Sequence, residues 1–135
     1  MEITIRKYQK DDFVKFTELS SDDWGIVIKQ IAASLLKDND VELCLCAEID
    51  DSIIGFVYGF VLPNGTLILE FLYVKDEYRN KGNAKKLLKA IEDESGCSVS
   101  MVFYNKELHS FYEKQEYNIG DNLEIAMKTL DLKYV

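Results

Sequence analysis

A basic turn that contains a glycine, placed between an apolar run and a helical pattern, is the segment best suited to chemistry. The apolar run ends in Leu72-Tyr73-Val74, which predicts a strand. The apolar residues that follow recur at helical spacing, at Ala84, Leu87, Leu88 and Ile91. The first-turn N–H groups of such a helix lack intrahelical partners, and the macrodipole makes that end partly positive. With Gly82 for close approach and the cations Arg79, Lys81, Lys85 and Lys86, the segment predicts a site for a phosphate-bearing ligand.

The charge of the chain is unevenly distributed. The 135 residues carry a net charge of −8, which argues against nucleic-acid binding because such proteins need a basic surface. The stretch 75–89 nevertheless holds six Lys or Arg residues against two acids. A basic island in an acidic protein suits an anionic ligand, and the acidic remainder is compatible with a cationic partner.

Length and composition predict one domain over residues 1–135 in the cytoplasm. No window approaches the roughly 20 apolar residues of a membrane span, and the start lacks the pattern of a signal peptide. We therefore expect no membrane partner. Cys44, Cys46 and Cys97 are interpreted as small hydrophobic residues in a reducing compartment, not as metal ligands. His109 is the only histidine, and we expect no metal.

The order of elements predicts an α/β domain with a mixed sheet and helices on both faces. Strands are predicted at about 2–7, 41–49, 53–62, 66–74, 98–104 and 123–130. Helices are predicted at about 10–19, 23–37 and 84–95, with a short one after Asn105. The strand–helix–strand unit over 66–104 implies a parallel crossover within a mainly antiparallel sheet.

Two blocks of the sequence resemble one known family. Arg79-Asn80-Lys81-Gly82-Asn83-Ala84 fits the acetyl-CoA signature of the GCN5-related N-acetyltransferase (GNAT) superfamily: Arg or Gln, two residues, Gly, one residue, Gly or Ala. About twenty residues on, Asn105 and the run 111–117 are similar to the family's second block. Glu116 stands where the family usually has glycine, which puts the turn after the last helix in doubt.

The resemblance implies a single-domain GNAT-like fold with acetyl-CoA as cofactor. In that fold the strand before the loop splays from its parallel neighbour, and the pantetheine arm lies in the gap. The turn 79–84 would bind the pyrophosphate, the backbone of Leu72 and Val74 would hold the arm, and Asn105 would contact it. The cofactor-binding residues implied are Leu72, Tyr73, Val74, Arg79, Asn80, Lys81, Gly82, Asn83, Ala84, Lys85, Asn105 and Lys114, although Lys114 could equally be a surface lysine.

Two residues are candidates for proton transfer. Tyr112 could give a proton to the departing thiolate of coenzyme A, or it could be a core aromatic. Glu70 lies in a strand that is apolar on both faces, where a carboxylate is costly unless paired or functional. A raised pKa there would suit a base that deprotonates an ammonium substrate, directly or through water. The alternatives for Glu70 are an exposed edge and a structural salt bridge.

The acceptor is less well defined by the sequence. Trp24 with Asp22 and Asp23 falls where the family lines its acceptor pocket, although Trp24 could be core and the acids a helix start. The leading hypothesis is acetyl transfer to a primary amine by direct attack in a ternary complex. The acceptor could be a polyamine, an aminoglycoside-like molecule or a lysine or peptide amine. The alternative is a non-catalytic acyl-CoA-binding module, and a homodimer is left open.

Overall fold

The computed structural model describes residues 2–19, 25–37 and 39–120, and beyond these the single residues 122, 124, 126, 128 and 130. The chain divides into two compact units, Met1–Val102 and Phe103–Val135. The strands are β1 (Thr4–Lys7), β2 (Glu42–Ile49), β3 (Ser52–Val61), β4 (Thr66–Val74) and β5 (Val99–Val102). The helices are α1 (Phe13–Thr17), α2 (Gly25–Ser34), α3 (Asn83–Ser95) and α4 (His109–Lys114), and short 3-10 helices lie at Lys10–Asp12, Asp76–Tyr78 and Lys106–Leu108.

The five strands form one sheet in the order β1-β2-β3-β4-β5. The first three pairings are antiparallel, as expected for strands joined by short turns. β4 and β5 are parallel and are joined by a crossover through α3. The predicted mixed and mainly antiparallel sheet is therefore confirmed.

Helices pack on both faces of the sheet, as predicted. On one face, Phe16 of α1 and Ile28 of α2 form a buried cluster with Phe56 and Tyr58 of β3. On the other, α3 packs across the strands with Leu87, Leu88 and Ile91 fully buried. Because side chains alternate along a strand, Cys44 and Cys46 face the α1 and α2 cluster while Leu45 and Ala47 face α3.

An ion-pair cluster ties the start of the chain to the sheet. The Arg6 guanidinium donates to both carboxylate oxygens of Asp12 at 2.8 Å and to Glu48 at 2.9 Å. The Gln9 backbone N–H also donates to Asp12, at 2.8 Å. Burial acts to raise the pKa of Asp12, but the hydrogen bonds from Arg6 and Gln9 outweigh it, so this pKa lies below its usual range.

Several predicted boundaries differ from the structure. The helix expected over 10–19 is a 3-10 turn followed by a short α1, because Asp12 turns inward to Arg6. The strand expected over 98–104 is limited to Val99–Val102. The last strand, predicted over 123–130, falls on a stretch of which only alternate residues are described, and the single-domain prediction for 1–135 stays a prediction. No helix among the described residues is long and apolar enough to cross a membrane.

We expect Asp12→Asn to lower the free energy of unfolding by about 2 kcal/mol at pH 7, because it leaves the Arg6 charge only partly paired. A carboxyl group with a lowered folded pKa stabilises the fold above its unfolded pKa of about 3.9, and this stabilisation is lost as the pH falls through the folded value. The difference between wild type and variant should therefore shrink below about pH 4. Urea denaturation over a pH series measures it.

The matched control is Asp11→Asn, since Asp11 is the exposed neighbour of Asp12. Its effect should stay within about 0.5 kcal/mol. Equal effects of the two substitutions would show that the cluster does not stabilise the fold.

Candidate active site

The turn between β4 and α3 has the backbone shape of an anion-binding loop. It runs from Lys75 through the 3-10 helix to Gly82, and α3 begins at Asn83. Asn80 and Gly82 both have left-handed backbones, with φ of 62° and 83°. Left-handed residues in a turn are a common feature of loops whose N–H groups point towards one concave side. A Cβ added at Gly82 would meet nothing within 4 Å, so the space in front of this residue is open.

Asn83 supports the turn from inside. Its side-chain amide donates to the Tyr78 carbonyl at 2.9 Å, and the residue is only 4% exposed. This contact fastens the 3-10 helix to the first residue of α3. Of the predicted cofactor-binding residues, Asn83 is thus directed into the protein, while Ala84 is half-buried on α3.

Arg79 is held by the turn itself. Its Nε donates to the Val74 carbonyl at 2.7 Å, and its Nη1 lies 2.6 Å from the Asp76 carboxylate. The guanidinium also lies over the ring of Tyr73, 5.9 Å from the centroid. Arg79 therefore fixes the junction of β4 with the turn, at the strand end where the sequence predicts pantetheine contacts.

Three lysines surround the start of α3. Lys81, Lys85 and Lys86 are exposed, and none forms an ion pair with another described residue. A surface cavity of about 570 Å³ lies beside the turn, and its lining includes Tyr78, Lys81, Asn83 and Lys86. The acid Glu2 also lines this cavity, but the lysines outnumber it, so this end of α3 is suitable for phosphate groups.

β4 extends beyond its parallel neighbour. The pairing with β5 ends at Leu69 and Val102, whereas β4 continues to Val74. On its other edge β4 stays paired with β3, through Val57 to Leu72 and Phe56 to Tyr73. Residues 70–74 of β4 therefore do not pair with β5. This is the divergence of the two strands that the resemblance implies.

Glu70 is the extra residue of a β-bulge. Tyr58 of β3 pairs with Phe71, and the next residue, Gly59, pairs with Leu69, so Glu70 is left without a partner. Bulges re-aim side chains and occur next to active sites. Glu70 is exposed, which agrees with the exposed position that the sequence left open as an alternative. Partial burial and the negative charge of Glu42 still raise its pKa.

Tyr112 lies in an aromatic cluster within the second unit. Its ring centroid is 4.7 Å from Tyr104, 5.0 Å from Phe111 and 5.5 Å from Tyr117, and the residue is 2% exposed. Burial, with a smaller contribution from Tyr104, raises the pKa of Tyr112 to about 12. The phenol thus holds its proton at any physiological pH.

The remaining predicted residues of the second unit lie near the ends of its helices. Asn105 caps the 3-10 helix that precedes α4, because its side-chain oxygen accepts from the Glu107 N–H at 3.1 Å. Lys114 is exposed in the last turn of α4. Glu116 just beyond has a left-handed backbone with φ of 68°, so the turn that glycine usually forms is kept with a glutamate.

Two features of the site were not predicted from the sequence. They are the bulge at Glu70 and a second carboxylate, Glu42, whose charge acts on Glu70. The signal for Glu42 was its position on the strand face that also carries Cys44 and Cys46. The predicted acceptor residues Asp22, Asp23 and Trp24 lie outside the described residues.

Comparison with known proteins agrees with this geometry. A family model described as the acetyltransferase (GNAT) family matches residues 4–117. A search of curated protein sequences finds no significant match. The chain is similar in fold to a ribosomal-protein-alanine N-acetyltransferase from Brucella melitensis biovar Abortus 2308, with a TM-score of 0.76, 22% identity and coverage of 95% of this chain and 100% of that one.

Two further solved structures share the fold. One is a PaiA N-acetyltransferase from Thermoplasma acidophilum, with a TM-score of 0.74, 23% identity and coverage of 90% of this chain and 93% of that one. The other is the aminoglycoside N-acetyltransferase AAC(6')-Iy, with a TM-score of 0.72, 18% identity and coverage of 94% and 95%. Since the family model spans most of the 135 residues, the chain belongs to the acetyltransferase (GNAT) family, which confirms the family and the enzyme class predicted from the sequence.

Proposed function

We propose that the protein transfers the acetyl group of acetyl-CoA to a primary amine. The observation that carries the proposal is the turn 79–84, where left-handed Asn80 and Gly82 precede the start of α3 and the exposed lysines Lys81, Lys85 and Lys86 flank it. The structures of the PaiA enzyme and of AAC(6')-Iy are complexes with coenzyme A, which supports the same ligand here.

The described geometry suggests how coenzyme A would be held. The pyrophosphate would accept hydrogen bonds from the N–H groups of the turn, with Lys81 and Lys85 adding charge. The pantetheine arm would follow the unpaired edge of β4 at Leu72 and Tyr73, while the Val74 carbonyl stays with Arg79. The resemblance adds roles for Asn105 on the arm and for Lys114 on a phosphate.

The proposed reaction is a direct transfer. Glu70 removes a proton from the ammonium form of the acceptor, directly or through water, which frees the nitrogen lone pair. The nitrogen attacks the thioester carbonyl carbon, a C–N bond forms, and the C–S bond breaks as the thiolate leaves. Tyr112 donates its phenolic proton towards that thiolate. The raised pKa of Glu70 brings this carboxylate closer to the range in which a base accepts protons effectively.

The acceptor is proposed as a class only. A negatively charged protein with Glu42 and Glu70 on one sheet face favours a cationic amine such as a polyamine, an aminoglycoside-like molecule or a lysine or peptide amine. Asp22, Asp23 and Trp24 keep their proposed role in the acceptor pocket. A cytoplasmic location also belongs to this proposal.

A non-catalytic acyl-CoA-binding module is the second candidate. One observation favours it: Tyr112 is almost fully buried in its aromatic cluster, and its raised pKa makes it a weaker acid than a free phenol. Such a module would keep the turn and transfer nothing. The variants below separate the two candidates.

Gly82→Ala should weaken acetyl-CoA binding about tenfold or more, because its Cβ would enter the open space that the pyrophosphate needs. Gly96→Ala is the matched control at the other end of α3. Gly96 is also left-handed and also has nothing within 4 Å of an added Cβ, so both variants carry the same strain of about 1–2 kcal/mol. Isothermal titration calorimetry should show less than a twofold change for Gly96→Ala, and equal weakening would refute binding at the turn.

Glu70→Gln should lower kcat/KM about a hundredfold while leaving the dissociation constant of acetyl-CoA unchanged. In the wild type, activity should rise with pH as Glu70 loses its proton, and this acid limb should disappear in the variant. Glu70→Asp keeps a carboxylate and should retain the limb at a lower rate. Thiol release with a polyamine, an aminoglycoside and a lysine peptide is the measurement, and a limb that persists in Glu70→Gln would exclude Glu70 as the base.

Tyr112→Phe should slow thiol release roughly tenfold to a hundredfold with little change in acetyl-CoA affinity. Because the pKa of Tyr112 is about 12, its ionisation should produce no loss of activity below about pH 10. Tyr117→Phe, in the same cluster, is the control and should change the rate less than twofold. If both variants match the wild type, Tyr112 is a packing residue only.

A further inference from the structure

The surface cavity of about 570 Å³ beside the turn has a lining of two kinds. Its apolar and aromatic residues are Ile3 from before β1, Ile49 at the end of β2 and the half-buried Tyr78. Its cations are Lys81 and Lys86, which are both exposed. A lining of this composition suits a ligand that combines a flat apolar ring with negative charge.

Tyr78 is held in place from both sides of its backbone. Its N–H donates to the Lys75 carbonyl at 2.9 Å, and its own carbonyl accepts from the Asn83 side chain at 2.9 Å. Because this residue is already fixed, little further ordering is needed when a ligand packs against its ring. An aromatic ring that is partly accessible in this way is a surface on which a nucleobase can stack.

Lys86 is the cation beside the turn that the proposed pyrophosphate site does not use. Its N–H donates to the Gly82 carbonyl at 3.1 Å, in the first turn of α3. Since a helix rises about 1.5 Å per residue, Lys86 lies about 6 Å along the axis from Gly82. Its neighbour Lys85 is turned by about 100° around the helix, and the cavity lining includes Lys86 and not Lys85.

Coenzyme A has a second charged part beyond its pyrophosphate. The ribose next to the pyrophosphate carries a 3′-phosphate and an adenine. If the pyrophosphate lies at Gly82, a purine and a further phosphate therefore follow at the start of α3, where the cavity is. The acid in the lining, Glu2, is complementary to the amino group of adenine, which donates hydrogen bonds.

We propose that this cavity binds the 3′-phosphoadenosine end of coenzyme A, with Lys86 on the 3′-phosphate and Tyr78 against the purine. The inference rests on the proposed acetyl-CoA site at the turn. It makes Lys86 and Tyr78 determinants of donor specificity. They favour acetyl-CoA over an acetyl-phosphopantetheine group that lacks the nucleotide, such as one carried by another protein.

Isothermal titration calorimetry with acetyl-CoA and with 3′-dephospho-acetyl-CoA tests the role of Lys86. The wild type should bind the dephospho form about tenfold more weakly, because a charge-assisted contact is lost. Lys86→Ala should bind acetyl-CoA about tenfold more weakly than the wild type and the dephospho form within about twofold of it. Equal affinity of the wild type for the two ligands, or equal weakening of both in Lys86→Ala, would overturn the assignment.

Lys85→Ala is the matched control. Lys85 is an exposed lysine in the same helical turn and lies outside the cavity lining. Its proposed charge acts on the pyrophosphate, which both ligands contain, so the variant should weaken both by the same factor. A selective loss of acetyl-CoA affinity in Lys85→Ala, with none in Lys86→Ala, would place the 3′-phosphate outside the cavity and overturn the inference.

Tyr78 should show a different pattern from Lys86, because both ligands contain the purine. Tyr78→Ala should weaken the two ligands by the same factor of about tenfold and keep the wild-type ratio between them. Tyr78→Phe keeps the ring and should match the wild type within about twofold. Unchanged affinities in Tyr78→Ala would overturn the purine contact.

Thiol release then tests donor selection. Lys86→Ala should lower kcat/KM about tenfold with acetyl-CoA and leave it unchanged with acetyl-phosphopantetheine, so that the ratio between the donors falls about tenfold. An unchanged ratio would overturn the inference. If acetyl-CoA binds the wild type and Gly82→Ala weakens it, but the cavity variants do not, the inference fails and the proposed function stands. If acetyl-CoA does not bind the wild type, both fail.

Discussion

One extra residue in β4 determines which side chains of this strand lie on each face of the sheet. Leu67 and Leu69 pair with Val61 and Gly59, while Phe71 and Tyr73 pair with Tyr58 and Phe56. Directly paired residues share a face, so the first two lie towards α3 and the last two towards α1 and α2. Without the bulge at Glu70 all four would share one face. Gly59 makes the bulge feasible, because a Cβ there would lie 2.5 Å from the Ile68 carbonyl oxygen.

The bulge coincides with the point where β4 loses its parallel neighbour. Pairing with β5 stops at Leu69, and the next residue is Glu70. An ionisable side chain therefore lies where the pairing of β4 with β5 ends, and the turn 75–82 begins where β4 itself ends. The same short segment brings together what the proposed reaction requires from the first unit: a base, a surface for an extended arm and a phosphate site.

Three carboxylates in this unit show how environment sets proton affinity. Asp12 is buried and Glu42 is half-buried, and burial alone would raise the pKa of both. Donors from Arg6 in one case and from Ser34, Tyr58 and Asn39 in the other reverse that effect. For Glu70, burial and then the negative charge of Glu42 raise the pKa, and no hydrogen-bond donor among the described residues reverses this effect. The carboxylate with the fewest donors is the one fitted to exchange protons.

The sequence predicted what depends on local pattern. Strict alternation identified β2, and Gly82 before an amphipathic run identified the turn and α3. The bulge could not be predicted, because both faces of β4 are apolar. Leu69 and Phe71 suit burial equally well whether they lie on the same face of the sheet or on opposite faces. Glu42 was read as one polar position in an alternating strand. Only its donors, which are contributed by elements distant in the chain, show that it is held on the inner face.

The glutamate that replaces a glycine after α4 has a dynamic consequence. Glu116 adopts a left-handed backbone at a cost of about 1–2 kcal/mol, and the turn it forms is closed by the hydrogen bond from the Tyr117 N–H to the Tyr112 carbonyl. Strain stored in a closed turn lowers the free energy of opening it, and 1–2 kcal/mol raises the open population roughly fivefold to thirtyfold. The end of α4 therefore opens more readily than the same turn would with a glycine at this position, and Tyr117, the next residue, is one of the rings that enclose Tyr112.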